Sequence, residues 1–361
     1  MLLLSLVLVG CNRLLKNQDD VECVDSVAWD EGQEAFIEKT ADWNLDSIQA
    51  IGTRISAVDF DGDGWTDLFI RKDGSADDFA AGTRSSWLLR NTGDGSFEDV
   101  TESSGIRTAR NSDIGRPGQV AAFADVDNDG DLDVYTGYST SNTSVETSEI
   151  LLNDGSGHFS LTSEDNLVRE AMVDQTAGAS FVDIDHDGNV DLWLTQGGSE
   201  QDRLFKGLGN GEFSDITSDY SLITTVWSTV TNLNAGLSHS NAWSSLACDL
   251  NNDGYSELLA ASYGRAPNHL WLSSDGSDFS NESVVSGYAF DENQDWSDNE
   301  SARCWCSLHP TDDDCEGVPE PEFIACNSDG DAFRWNHQYD REPFRLGGNS
   351  GTTVCADLNN D

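Results

Sequence analysis

Oxygen-bearing side chains recur at a fixed spacing in four segments of the 361-residue chain. The first segment, residues 59–67, reads DFDGDGWTD, and matching segments cover residues 125–133, 183–191 and 249–257. We call these segments loops 1 to 4. Each carries Asp, Asn or Glu at positions 1, 3, 5 and 9 and Gly at position 6, and a fifth copy begins at residue 357. Carboxylates at this spacing converge on one point when the chain turns tightly, which predicts a divalent cation site.

The chemistry of these donors favours calcium. Calcium takes about six to eight hard oxygens, whereas magnesium prefers a tighter octahedral shell that keeps several waters. Position 7 contributes its backbone carbonyl, so its residue type is free to vary. We predict about four complete calcium sites and a truncated fifth. Their ligands are Asp59, Asp61, Asp63, Trp65 and Asp67; Asp125, Asp127, Asp129, Asp131 and Asp133; Asp183, Asp185, Asp187, Asn189 and Asp191; Asp249, Asn251, Asp253, Tyr255 and Glu257; and Asp357, Asn359 and Asp361.

The flanks of the loops predict strands rather than helices. Apolar residues alternate before loop 1, at residues 55–58, and continue after it, at residues 68–70. The other loops have similar flanks. An EF-hand would require helices on both sides and a Glu at position 12. The sequence therefore excludes an EF-hand and predicts that each loop joins the two strands of a hairpin.

A second phrase follows each loop and predicts a second hairpin. Residues 87–101 read WLLRNTGDGSFEDVT, and related phrases cover residues 150–159, 204–217 and 270–279. Tandem units of four antiparallel strands are the blades of a β-propeller. The predicted fold is all-β, a β-propeller with four blades and the start of a fifth. Trp193 and Trp271 fall in strands, where we expect them to pack between blades.

The loops and the LLxNxGxGxFxDVT phrase resemble the FG-GAP/VCBS repeat family of integrin-α-like propellers, and are most similar to bacterial relatives of cartilage acidic protein. The resemblance covers residues 35–361, apart from an insertion at about 284–345. It implies structural calcium and seven blades, so the chain is expected to be the N-terminal part of a longer protein. Residues 36–40 copy the ending of the phrase, and we expect them to be the outer strand of a closing blade.

The N-terminus predicts export and a lipid anchor. Residues 2–9 form an apolar run of signal-peptide length, too short for a transmembrane helix. The run ends in Leu-Val-Gly-Cys, which resembles a bacterial lipobox; the alternative is an ordinary signal with a chance Cys. The resemblance implies a signal peptide at 1–10, lipidation of Cys11, a tether at 11–34 and a location at the bacterial outer membrane or cell surface.

Four cysteines cluster in the insertion. In an exported protein such a cluster predicts disulfides, although the pairing does not follow from sequence. A structural zinc site is the alternative, but CxC is not the usual CxxC spacing. The candidates are Cys304, Cys306, Cys315 and Cys326.

The charge of the chain excludes some partners. The chain has 66 Asp and Glu and 19 Lys and Arg, which gives a formal net charge of −47. This surface repels phosphate backbones and anionic headgroups, which excludes nucleic acid and leaves the lipid anchor as the only predicted membrane contact.

The predicted function is a calcium-stabilised binding or scaffold module at the cell surface, with a glycan or protein ligand. One alternative is a polysaccharide lyase or hydrolase. The 11 Trp, which can stack on sugars, and the insertion residues Trp305, His309, Trp335 and His337 are the features that would support it. The other is an integrin-like adhesin. We predict no catalytic residue, because the chain has no GxSxG, HExxH or phosphate-binding loop, and its His residues have no paired carboxylate at recognisable spacing.

Overall fold

The structure is a computed structural model that describes residues 36–74, 76–138, 146–169, 176–197, 200–226, 228–262, 266–290, 300–332 and 350–356. The chain divides into two compact units, Met1–Thr40 and Ala41–Asp361. Cys11, Trp335, His337, Asp357, Asn359 and Asp361 lie outside the described residues. Residues 36–40 carry no strand, and the Phe36 side chain is exposed.

The second unit contains four antiparallel sheets of four strands each within its described residues. We call them blades 1 to 4. Blade 1 contains β1 (Arg54–Val58), β2 (Asp67–Arg71), β3 (Ser86–Asn91) and β4 (Phe97–Asp99). Blade 2 contains β5 (Ala121–Ala124), β6 (Asp133–Thr136), β7 (Glu149–Asn153) and β8 (Phe159–Leu161). Blade 3 contains β9 (Thr176–Val182), β10 (Asp191–Gln196), β11 (Arg203–Gly207) and β12 (Phe213–Asp215). Blade 4 contains β13 (Ala242–Cys248), β14 (Glu257–Ser262), β15 (His269–Leu272) and β16 (Ser280–Asn281).

In each blade the strands pair in chain order. Each of loops 1 to 4 therefore joins the first two strands of its blade, and the Gly-containing turn within the second repeat phrase joins the last two. This pairing confirms the predicted all-β fold of four-stranded propeller blades. Short helices lie outside the sheets. They are α1 (Leu45–Ile48), α2 (Val230–Asn234), α3 (Glu300–Leu308) and α4 (Asp329–Ala332), with 3₁₀ turns at Leu167–Arg169 and Asp313–Cys315. Among the residues that the structure describes, none of the helices has the length and apolar character needed to cross a membrane.

Apolar side chains pack between neighbouring blades. Phe69 and Leu88 of blade 1 share a core cluster with Val134 and Leu151 of blade 2, and similar clusters join blades 2 and 3 and blades 3 and 4. Trp193 is fully buried, and its Nε1 donates to the Leu259 carbonyl of blade 4 at 3.0 Å. Trp271 is 3% exposed. Both tryptophans therefore pack between blades, as predicted.

The Asp-x-Thr ending of the repeat phrase closes the outer strand of a blade. In blade 3 the Thr217 hydroxyl donates to Asp215 at 2.6 Å and accepts the Leu204 backbone N–H at 3.0 Å. Thr101 makes the same two contacts in blade 1, with Asp99 and Leu88. The phrase therefore recurs because it satisfies a buried N–H where the sheet ends.

Replacing Thr217 by Val should lower the free energy of unfolding by about 1–3 kcal/mol, because the isosteric side chain leaves the buried Leu204 N–H without an acceptor. Denaturant titration of the full chain measures the change. Thr217→Ser keeps the hydroxyl and is the matched control, which should lose much less stability. A Thr217→Val variant as stable as the wild type, with the larger loss in Thr217→Ser, would show that the methyl group, and not the hydroxyl, is what the position requires.

The insertion is held by disulfides. Cys304 pairs with Cys326 and Cys306 pairs with Cys315, so these four residues leave no thiolate for the alternative zinc site. A third disulfide, which sequence spacing did not indicate, joins Cys248 at the end of β13 to Cys355. The Thr353 hydroxyl also lies 3.1 Å from that of Ser244 in β13. The segment before the fifth copy of the loop is thus fastened beside the first strand of blade 4.

Candidate metal centres

The first residue of each loop organises the turn. In loop 1 the Asp59 carboxylate accepts the backbone N–H of Asp63 at 3.1 Å and that of Gly64 at 2.9 Å. Loops 2, 3 and 4 repeat both bonds around Asp125, Asp183 and Asp249. Position 6 has φ near +90° in all four loops, for example +98° at Gly130, which explains why it is always Gly.

Three carboxylates meet in each of loops 1 to 3. One oxygen from each of positions 1, 3 and 9 lies within 4.8 Å of the other two. The triads are Asp59, Asp61 and Asp67; Asp125, Asp127 and Asp133; and Asp183, Asp185 and Asp191. In loop 4 position 3 is Asn251, an amide, and position 9 is Glu257. The structure thus brings together three of the predicted ligands in each of three loops.

Position 9 does more than complete the triad. Asp133 is fully buried, and its two oxygens accept the N–H of Val126 in the loop at 2.9 Å and of Asn153 in β7 at 2.8 Å. Asp67 and Asp191 make the equivalent pair of bonds. The carboxylate therefore fixes the loop against the third strand of its own blade, a role that the spacing did not reveal.

Burial of these position 9 carboxylates disfavours their charged form. Desolvation raises the pKa of Asp133 and of Asp191 to about 7 and that of Asp67 to about 6, although their backbone hydrogen bonds act in the opposite direction. At position 3, burial and the neighbouring carboxylates raise the pKa of Asp61 and of Asp127. Without a cation, keeping these carboxylates ionised lowers the stability of the folded chain.

The donor set fits calcium. Every side-chain group in the triads is a carboxylate, the hard oxygen donor that calcium prefers. Asp127 Oδ1 is moreover buried with no hydrogen-bond partner among the described residues. A buried charged oxygen without a donor is costly, and a cation at the triad would satisfy it.

The other predicted ligands have identifiable places. The position 5 carboxylates are not part of the triads; Asp63, for example, accepts the Trp65 N–H at 2.8 Å. At position 7 the side chains of Trp65 and Tyr255 are exposed and half-buried, respectively.

Loops of successive blades contact each other. Asn128 donates to Asn189 at 2.8 Å, and His186 stacks on Tyr255 with ring centroids 4.8 Å apart. The loops of blades 2, 3 and 4 therefore lie side by side.

Sequence reasoning missed a buried polar cluster between blades 3 and 4. Asp202 accepts the Ser240 hydroxyl at 2.7 Å and lies 3.7 Å from the His269 ring, which is fully buried. His239 bonds to Thr224 nearby, and burial lowers its pKa even though Asp202 opposes this. No sequence signal links residues so far apart on separate blades. In the insertion, His309 stacks on Trp305 and lies 3.0 Å from Asp329.

A cavity of about 160 Å³ lies where the first strands of the four blades converge. Ser56, Ala121, Ala179 and Ser245 of those strands line it, together with Arg71. The buried Arg71 guanidinium donates to the backbone carbonyls of residues 116, 120 and 137, and so ties blade 1 to blade 2.

The fold and the loops define a class of protein, a repeat protein with propeller-type blades and acidic hairpin loops. Residues 71–136 match the family model of the FG-GAP-like repeat. That span runs from the end of β2 to the end of β6 and includes loop 2. The resemblance to FG-GAP repeats predicted from the motifs is therefore confirmed.

The solved structures that are similar to part of the chain include that of a lectin from Agrocybe aegerita, described as specifically recognising non-reducing terminal N-acetylglucosamine. The sequences are 16% identical, and the match covers 63% of this chain and 64% of the lectin chain with a TM-score of 0.33. A TM-score this low does not establish a shared fold. None of the curated proteins matches the chain.

Proposed function

We propose that this chain is a calcium-binding propeller module that serves as a binding or scaffold surface, and that its calcium is structural. The observation that carries the proposal is the repetition of one carboxylate triad at the same place in three successive blades. A single acidic cluster could arise by chance on a chain with a net charge of −47. Three clusters with the same internal hydrogen bonds require a common cause.

The chain's own residues build most of each site. Position 1 holds the turn, position 9 fixes the loop to the third strand, and position 3 completes the triad. Bound calcium would supply the positive charge that these carboxylates share. Because the position 9 side chains are fully buried, a cation stabilises the loops more in the folded state than in the unfolded state. Calcium binding therefore increases the stability of the fold.

Calcium titration of the full chain by calorimetry tests the proposal. We expect at least three sites with dissociation constants of roughly 10⁻⁴–10⁻³ M, the range of extracellular modules. Asp127→Asn should weaken one site selectively. Asp154→Asn, which changes an exposed turn aspartate of the same blade, is the control and should leave binding unchanged. A chain that takes up no calcium would refute the proposal.

We place the ligand-binding surface on the side of the propeller that carries the loops, and propose a glycan or a protein as the ligand. The exposed Trp65 ring and the stacked pair of His186 and Tyr255 offer flat surfaces there. Screening the full chain on glycan and protein arrays, with calcium and with chelator, tests this proposal. Release of products from a glycan would instead favour the enzyme alternative. The proposal itself includes no catalytic residue.

We also propose, from the lipobox resemblance, that Cys11 carries the lipid anchor of an exported protein. Labelling of cells with a radioactive fatty acid tests it. The label should enter the wild-type chain and be absent from Cys11→Ser. Equal labelling of both would show that the anchor lies elsewhere.

A further inference from the structure

Loop 3 differs from loops 1 and 2 because a lysine reaches its carboxylates. The ammonium of Lys206, on β11, bonds to Asp185 Oδ2 at position 3 and lies 2.8 Å from Asp187 Oδ2 at position 5. In loop 1 the corresponding oxygens, Oδ2 of Asp61 and Asp63, accept no hydrogen bond from any described residue. The lysine therefore occupies acceptor positions that loop 1 leaves open.

Residue type and strand register together explain why, among the four loops as the structure describes them, loop 3 is the one that a lysine contacts. Lys206 pairs across the strand with Ser214, which offers it no charge. The equivalent residue of blade 1, Arg90, pairs with Glu98 and forms a 2.6 Å ion pair with it on the sheet surface. Blades 2 and 4 carry leucines at this position, Leu152 and Leu272. A cation held by its own strand partner stays on the sheet, whereas Lys206 is left to bond the loop.

The contacts of Lys206 are strong enough to matter. Hydrogen bonds between two charged groups are shorter and about twice as strong as those between neutral groups. The lysine side chain is 28% exposed and Asp185 is 16% exposed, so solvent screens the pair only in part. A divalent cation that engages the same oxygens must first displace the ammonium. Among the described residues, no cationic side chain makes such a contact with loop 1 or loop 2, although the charge of Arg90 acts on Asp61 and Asp63 from a distance.

We infer that Lys206 is an internal counter-cation of loop 3, which holds the carboxylates together without metal and competes with calcium for them. The inference rests on the proposed function. It implies an order of occupancy: loops 1 and 2 fill at lower calcium concentration than loop 3. It also implies that loop 3 keeps its shape when calcium is withdrawn.

Calcium titration of full-chain variants tests the inference. Lys206→Met should tighten one site by roughly tenfold or more, because the loss of one or two charge-assisted bonds removes the competition. Leu152→Met, at the equivalent position of blade 2, is the matched control and should change calcium affinity by less than about twofold, because it introduces the same side chain without removing a charge. In an Asp183→Asn background, which disables loop 3, Lys206→Met should have no effect.

A gain-of-contact variant gives an independent measurement. Ser214→Glu places a carboxylate where blade 1 has Glu98, so it should draw Lys206 away from loop 3 and also tighten that site. Calcium sites that bind in the wild type but are unchanged or weakened in both Lys206→Met and Ser214→Glu would overturn this inference alone. A wild-type chain without calcium sites would overturn the proposed function and this inference together.

Discussion

Removing calcium with EDTA should lower the melting temperature of this chain by roughly 15–30 °C. At 10 mM calcium, a 100-fold excess over a dissociation constant of about 10⁻⁴ M, each site stabilises the folded state by about 2.7 kcal/mol, so three triads contribute about 8 kcal/mol. In a domain of this size each kcal/mol shifts the melting temperature by about 2–4 °C. Differential scanning calorimetry in 10 mM calcium and in EDTA measures the shift.

The physical reason is the burial of like charges. Each triad holds three carboxylates whose oxygens lie within 4.8 Å, and its position 9 member is fully buried. Magnesium at the same concentration should restore much less stability, because it releases its waters reluctantly and does not suit a large set of oxygen donors. Re-adding calcium must return the original melting temperature. A melting temperature that ignores EDTA would contradict the structural role of the metal.

Local patterns predicted most of the fold. Loop spacing, alternation and glycine turns are properties of short segments, so the hairpins were predictable and their bounds differ from the observed strands by about one residue at loop 1. Positions 1, 3 and 9 converge for the same reason: one tight turn contains all of them. The copied phrase likewise predicted the second hairpin of every blade.

Contacts between blades could not be predicted in this way. The pairing of Cys248 with Cys355 depends on the segment at residues 350–356 lying beside β13, and the approach of Asp202 to His269 depends on which blades become neighbours. Lys206 is the most instructive case. Its role depends on Ser214 being its cross-strand partner, and the motif alone treats Lys206 and Arg90 as equivalent positions.

The pH dependence of stability should reverse when calcium is removed. Asp133 and Asp191 have a pKa of about 7 and Asp67 of about 6 in the folded metal-free chain, against an ordinary value of 3.8. A raised pKa means that the folded state binds protons more tightly than the unfolded state does. Its stabilising contribution is complete below about pH 4 and is lost as the pH rises through 6 to 7.

In EDTA the melting temperature should therefore fall between pH 4.5 and pH 8. Each unit of pKa difference corresponds to about 1.4 kcal/mol, so the whole titration changes the stability by about 3 kcal/mol at Asp67 and by about 4 kcal/mol at each of Asp133 and Asp191. In calcium the slope should be flat or rising, because the metal binds the ionised carboxylates. Asp99 and Asp215 do not interfere: burial raises the pKa of each, but hydrogen bonds from Thr and Arg neighbours outweigh it, so their contribution is lost only below about pH 4.

General repulsion on a chain of net charge −47 would give a slope of the same sign, and salt separates the two causes. At 1 M ionic strength the Debye length is about 3 Å, so repulsion between exposed charges is screened while the desolvation of fully buried carboxylates persists. If the fall in EDTA remains at high salt, the buried position 9 aspartates cause it. If high salt abolishes the fall, repulsion between surface charges causes it. Calcium then stabilises the loops without relieving a buried charge.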